Sequence, residues 1–232
     1  MKRGVFVTGT DTGVGKTLAA CALIHALVNR GIGVMPMKPV AAGGVMHDGG
    51  WANEDTIALL RAAGRDDARM PDANPILLRE PMAPHIAASR EGREITLQPI
   101  IEAFERLSHA ADFVVVEGVG GFRVPLSDSL DSVDLARALA LPVVLVVGLR
   151  LGCLNHALLT ADAIRASGLA FAGWIANAID PQMAVADENV EALRARLPAP
   201  LLGRLPYMPQ PIAPALARDL DVSPLLGEGR AE

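Results

Sequence analysis

Short apolar runs alternate along this chain with stretches in which apolar residues recur every three or four positions. The runs at 5–8, 34–37, 113–117, 143–147, 171–176 and 201–205 show little polar alternation. Strands buried on both faces of a parallel sheet read this way. Helical spacing falls between them, at 16–29, around 57–60, and at 95–109, where Leu97, Ile100, Ile101, Phe104 and Leu107 share one face. It recurs at 134–139, 155–167 and 187–197. Strand and helix in alternation predict an α/β fold, a parallel sheet flanked by helices on both faces. The run at 143–147 is the most apolar and belongs at the sheet centre.

Punctuation refines the pattern. Gly31 and Gly33 stop the first helix, Asn53 is placed to cap the second, and Gly168 follows the one at 155–167. Lys38 precedes Pro39, which pushes it to an extended strand end. The Gly-rich stretch 41–52 reads as a mobile loop, and 64–84, with Pro71, Pro75, Pro81 and Pro84, as irregular connection. Short helices are expected at 85–90 and 216–220. The chain has 232 residues, enough for one large domain; 1–226 is read as that domain and 227–232 as a frayed tail.

The junction between the first strand and the first helix carries the strongest chemical signal. It reads Gly9-Thr10-Asp11-Thr12-Gly13-Val14-Gly15-Lys16-Thr17, with Leu18 opening the apolar face of the helix. A Gly-rich turn ending in Gly-Lys-Thr at a helix start is a phosphate-binding loop, so the fold is expected to be P-loop NTPase-like. Glycines let successive N–H groups face one anion, and the helix N-terminus adds partial positive charge. Lys16 would reach the terminal phosphates and the Thr17 hydroxyl a Mg²⁺ ion. The common form has four residues between the first Gly and Gly-Lys, whereas five separate Gly9 from Gly15 here. The competing reading is an ordinary Gly-containing turn; strand, helix and the Lys-Thr pair together argue against it.

Composition narrows the class. The chain is 51% hydrophobic and 20% charged, with a formal net charge of -5 and no run of Lys or Arg, which gives no electrostatic basis for nucleic-acid binding. Two cysteines, Cys21 and Cys153, make no disulfide framework, which points to a reducing cytoplasm. Asp11 and Lys16 interrupt the apolar start too early for a signal peptide. The longest apolar run, 138–149, contains Pro142 and is too short to span a bilayer, so no membrane role is expected.

In an open parallel sheet, ligands gather beyond the carboxyl ends of the strands. The phosphate loop, Lys38, Glu117, 150–155, Asn177 and Pro206-Tyr207 all fall there. Glu117 ends an apolar strand, where nucleoside triphosphatases place the acid that serves Mg²⁺. Taken alone, Lys38 would be a solvated side chain and Asp55 an acid serving the helix dipole. The five histidines and Cys153 show no zinc-site spacing; the histidines read as solvated or packed, and Cys153 as a loop thiol.

Together, the loop at 9–17, Lys38-Pro39-Val40, Val116-Glu117-Gly118-Val119-Gly120-Gly121, Leu151-Gly152-Cys153-Leu154-Asn155-His156 and Ala172-Gly173-Trp174-Ile175-Ala176-Asn177 resemble the dethiobiotin synthetase family. The likeness runs from about Val5 to Tyr207, and the longer loop is the family's own form. It implies an ATP- and Mg²⁺-dependent cyclo-ligase of biotin biosynthesis acting on 7,8-diaminopelargonic acid and CO₂. One amine takes up CO₂ as a carbamate, ATP phosphorylates it, and the second amine closes the ureido ring, releasing phosphate. By the resemblance, Thr12, Lys16 and Lys38 are catalytic, and Thr17, Asp55 and Glu117 hold Mg²⁺. Gly13, Val14, Gly15, Lys16, Thr17, Leu18, Gly118, Val119 and Gly120 surround the phosphates. Asn177 with Ala178 meets the adenine, walled by Pro206, Tyr207 and Met208. Thr12, Lys38 and Ala42 face the second substrate, and Gly152, Cys153, Leu154 and Asn155 bind its carboxylate across the subunit interface of a homodimer.

The chain departs from the family pattern at three places. Ala42 stands where a serine is common, Asn189 where some members carry a tyrosine, and Gly13 where a bulkier, often acidic residue is usual. Two alternatives compete with the ligase. Partition-type ATPase switches carry an extra lysine early in the loop, where Thr10 and Asp11 stand here, and a membrane-binding terminal helix that the acidic, Pro/Gly-broken stretch 219–232 does not resemble. A cobyrinic-acid-type amidoligase would need a glutaminase domain for which no length remains.

Overall fold

The computed structural model describes residues 3–65 and 70–227. The tail expectation therefore falls, apart from Gly227, outside the described residues. The chain begins β1 (Gly4–Gly9), α1 (Lys16–Val28), β2 (Val34–Met37), β3 (Val40–Ala42), β4 (Val45–His47), β5 (Gly50–Ala52), α2 (Glu54–Ala62) and β6 (Ile76–Leu78). It continues α3 (Pro84–Arg90), α4 (Gln98–Ala110), β7 (Phe113–Gly121), α5 (Ser132–Leu139), β8 (Val143–Leu149), α6 (Cys153–Ser167) and β9 (Phe171–Ala178). It closes with α7 (Ala186–Arg194), β10 (Leu201–Leu205), α8 (Ala213–Leu216), a 3₁₀ turn (Ala217–Asp219) and α9 (Ser223–Leu226).

Among the described residues, six strands form one sheet in the order β10-β9-β8-β1-β7-β2, every pairing parallel. The apolar run at 143–147 lies inside it, between β1 and β9, as its composition predicts. The strands alternate faces. Phe6, Val114, Val116, Val143, Leu145, Val147 and Trp174 enter one core with α4, α5, α6 and α7. Val5, Val7, Phe113, Val115, Val144, Val146 and Ile175 enter the other with α1, α2 and α8. Two apolar faces per strand leave no room for polar alternation, which is why the sequence reads as unbroken runs.

Asn53 caps α2 as expected, its side chain accepting from the Thr56 N–H. Asp131 and Asp134 add a reciprocal capping box at α5. Three expectations fail. The stretch 41–52 is not a structureless loop: β3 pairs parallel with β6, which itself lies inside the supposed irregular 64–84, and β4 and β5 form a hairpin. Asp48 and Gly49 make its tip, both with positive φ (47° and 76°), the conformation a two-residue hairpin turn demands. Three-residue strands are too short to show a period, though the Asp-Gly pair was a readable turn signal. Cys153 is no loop thiol either; it opens α6, two residues earlier than the expected 155, and is buried.

Candidate functional site

Sheet register assembles the site. Val7 pairs with Glu117, and Met37 with Val116. Glu117 therefore stands between the loop that follows β1 and Lys38, which follows β2. Gly15 adopts φ 79° and hands the chain to α1 at Lys16. A Cβ on Gly15 would collide with the Asn177 side chain, whose Nδ2 donates to the Val14 carbonyl at 2.9 Å. Gly15→Ala is thus expected to add left-handed strain of about 1–2 kcal/mol to that collision. For a chain of this size the melting temperature should fall by about 5 °C or more. A thermal melt unchanged from wild type would show that the Asn177 contact is not tight.

A cavity of about 740 Å³ opens over the strand ends. Thr12, Gly13, Gly15, Lys16, Thr17, Lys38, Ala42, Asp55, Glu117, Val119 and Gly120, all singled out from the sequence, line it. Ala41, Asn53, Val124 and Pro81, Met82, Ala83 and Pro84 line it too, and these the sequence did not mark. The last four belong to a proline-rich connection with no period to read. Gly120 has φ 61°; a Cβ there would lie 2.9 Å from Val124 and 3.6 Å from the Thr12 hydroxyl, so this loop packs closely on the phosphate loop.

Lys38 is the centre of the charged cluster and only 4% exposed. Its Nζ donates to Glu117 Oε1 at 2.6 Å and to Asp55 Oδ2 at 2.9 Å. The Thr17 hydroxyl lies 3.0 Å from Asp55 Oδ1 and 3.0 Å from Glu117 Oε1, and donates to one of them at a time. Burial alone would lower the Lys38 ammonium, but the charges of Glu117 and Asp55 outweigh it and hold the group above 10.5. Burial would raise the Asp55 carboxyl, but Lys38 outweighs it and holds the carboxyl below 3.8. Lys16 has no such pair: burial lowers its ammonium, Glu117 opposing only in part, and its Nζ donates to the Asp11 carbonyl at 3.0 Å. The Cys21 thiol, in α1 beneath the site, is pushed up to about 12 by burial and then by Glu117 and Asp55, which leaves it inert.

The donor set fits a magnesium ion. Thr17, Asp55 and Glu117 present hard oxygen atoms around one point, and Glu117 Oε2 is buried without a hydrogen-bond partner. An unpaired buried carboxylate oxygen is costly, and a cation brought to it recovers that cost. Among the described residues no group of three or more His, Cys, Asp or Glu could cage a metal by itself. The set therefore suits an ion completed by phosphate oxygens and water.

The other predicted residues lie apart from this cavity. Val14 is buried beneath the loop, with Leu18 packed on the same core. Gly118 rests against Phe6. Asn177 is buried beside Gly15, and Ala178, Pro206 and Tyr207 line a second cavity of about 490 Å³ with Asp180, Arg204 and Asp219. Met208 packs on the core rather than in that cavity. Gly152, Cys153, Leu154 and Asn155 line neither space, although Leu151 beside them is 96% exposed. Asn189 turns back on its own helix, donating to the Val185 carbonyl at 2.7 Å. No helix among the described residues is long and apolar enough to cross a membrane.

A family model described as "AAA domain" matches residues 3–215. The ATP-dependent dethiobiotin synthetase BioD of Aromatoleum aromaticum is 58% identical over 206 residues, covering 89% of this chain and 91% of the relative. The protein of that name from Ralstonia nicotianae is 55% identical over 221 residues, covering 95% and 96%. Among solved structures, the MinC:MinD cell division protein complex of Aquifex aeolicus matches with TM-score 0.59 at 17% identity, over 99% of this chain and 98% of that one. The septum site-determining protein MinD complexed with Mg-ADP from Pyrococcus horikoshii matches with TM-score 0.58 at 18% identity, over 99% and 90%. At such identities the structural likeness speaks to the fold alone.

Proposed function

This chain belongs to the family of ATP-dependent dethiobiotin synthetases, and we propose from that premise how its residues make dethiobiotin from 7,8-diaminopelargonic acid, CO₂ and ATP. The observation that carries the assignment of roles is the convergence of Lys16, Thr17, Lys38, Asp55 and Glu117 on one wall of the large cavity, with Thr12 beside them. The chain to Leu226 acts as one ligase unit working in the cytoplasm.

The carbamate of the diamine and the γ-phosphate are both anions, so the reaction must bring like charges together. Positioning and charge neutralisation are then most of the catalysis. N–H groups of the loop and the start of α1 take the phosphates, with Lys16 as their cation. Thr17, Asp55 and Glu117 would hold Mg²⁺, which supplies charge neutralisation at the phosphates when bound. Lys38 faces the transferred phosphoryl group and the carbamate oxygen that attacks it. Thr12 holds the carbamate end of the diamine. The carbamate oxygen bonds to phosphorus and ADP leaves; the second amine then attacks the carbamoyl carbon, and phosphate leaves with the C–O electron pair. Apolar walls from Met82, Val119 and Val124 keep water from the mixed anhydride.

Asn177 reads adenine next to the second cavity, where Pro206 and Tyr207 offer apolar walls. Its amide keeps one N–H and its oxygen beyond the bond to Val14. The loop 152–155 serves the cavity of a second copy in a homodimer. The exposure of Leu151, and of Leu159 on the helix that follows it, supports this, because large apolar side chains left in water favour a partner.

Purified protein with Mg·ATP and bicarbonate is expected to release ADP only when the diamine is added. ADP release indifferent to the diamine but stimulated by DNA or lipid vesicles would overturn the ligase in favour of a switch ATPase.

A further inference from the structure

Two loops leave the carboxyl ends of adjacent strands, and one ion pair joins them. β1 and β8 pair in parallel, Gly9 opposite Val146, and the Thr10 N–H still donates to the Val146 carbonyl at 3.0 Å. Past this point the chains diverge, one into the phosphate loop and the other into the turn 150–152 that opens α6. Across the gap, Arg150 Nη2 donates to Asp11 Oδ2 at 2.6 Å. Asp11 Oδ1 accepts from the Thr12 N–H at 2.7 Å, and the Asp11 carbonyl accepts from Lys16 Nζ at 3.0 Å. On the other side, the Arg150 carbonyl accepts from the Cys153 N–H at 3.0 Å, which sets the turn at Gly152, where φ is 94°. Asp11 thus ties Thr12 and Lys16 to Arg150, and Arg150 ties them to the loop before α6.

Both side chains of the pair are nearly half exposed, 42% and 46%. Exposed ion pairs add little to folding stability. The chemistry nearby gives this one another use. Asp11 is a carboxylate next to Thr12, which lines the large cavity, in a loop that must receive phosphates. Without a counter-charge it would repel the triphosphate and the carbamate alike. We infer that Arg150 is a positioning residue for the ligase reaction: through Asp11 it holds the phosphate loop against the loop before α6, and it cancels the charge of a carboxylate adjoining the cavity residue Thr12. This rests on the ligase reading above.

The test compares wild type with Arg150→Gln, Arg150→Lys, Asp11→Asn and the double variant Asp11→Asn/Arg150→Gln. Arg150→Gln is expected to raise KM for ATP and for the diamine by about tenfold each, with kcat within about threefold. Its melting temperature should stay at the wild-type value. Arg150→Lys restores most of the loss, because it keeps the charge. Asp11→Asn is milder than Arg150→Gln, and in the double variant it recovers the part of each KM increase due to the unopposed carboxylate, while the part due to the broken tie remains. Unchanged KM values in Arg150→Gln overturn the inference, as does a double variant worse than Arg150→Gln, since Arg150 would then touch substrate itself. Calorimetric binding of a non-hydrolysable ATP analogue, without diamine, separates the two readings. If wild type shows no diamine-dependent turnover the ligase fails, while weaker analogue binding in Arg150→Gln still supports the tie. Equal analogue affinities beside normal wild-type turnover overturn the tie and leave the ligase standing.

Discussion

Lys16→Ala is expected to lower diamine-dependent ADP release by about three orders of magnitude, mostly in kcat. Lys16 opens α1 directly after a left-handed Gly15, so its direction is set by the backbone rather than by a neighbouring acid. Among the described residues its ammonium donates to the Asp11 carbonyl, a neutral partner that a phosphate oxygen readily displaces. Burial already lowers its ammonium, so an incoming anion relieves an unfavourable desolvation. The gain grows as negative charge builds on the bridging oxygen toward ADP, which is the condition for lowering a barrier rather than only tightening binding. The loop's own N–H groups remain in the variant, so analogue affinity should fall far less than turnover. Diamine-dependent turnover within about tenfold of wild type would remove Lys16 from this role.

The two lysines were not equally legible in the sequence. Gly-Lys-Thr between a strand and a helix identifies Lys16 locally, and the same alternation of runs gives the doubly covered sheet. Lys38 is ambiguous until the register Met37 to Val116 sets it beside Glu117. Asp55 is ambiguous until Asn53, which caps α2 and donates its amide to the Gly43 carbonyl, pins the helix start over the same point. Such pairings join residues far apart in the chain, and periodicity holds no information about them. The wall from Pro81 to Pro84 was missed for a different reason: prolines announce a break, but not which surface the break covers. Asn177 was identified by type, yet its bond to Val14 depends on how β9 registers against β8, Gly148 opposite Asn177. The residues 152–155 were marked by motif alone, and they line neither cavity of their own chain; the homodimer proposed above is what would give them a substrate to bind.

Lys38→Met should separate catalysis from binding and expose a stability role that Lys16 lacks. Phosphoryl transfer is expected to fall by about three orders of magnitude, while analogue affinity changes by less than about tenfold. The cause lies in the cluster. Lys38 is the cation directly between two carboxylates, and Glu117, fully buried, has no other charged partner within hydrogen-bond reach among the described residues. Removing one partner of a buried pair leaves the other charge uncompensated, at about 3 kcal/mol or more, so the nucleotide-free variant should melt several degrees below wild type. Mg·ATP then restores the melting temperature toward the wild-type complex, because the magnesium charge satisfies the carboxylates that Lys38 no longer pairs. Lys16→Ala shows no comparable loss, since among the described residues its ammonium bonds a neutral carbonyl rather than a carboxylate. The combination to look for is a destabilised protein, rescued by Mg·ATP, that binds nucleotide and does not transfer its phosphate. A Lys38→Met protein that melts like wild type without nucleotide would mean that the Lys38–Glu117 pair adds nothing to folding stability. One that fails to bind the analogue would move Lys38 from the reacting phosphoryl group to the nucleotide itself.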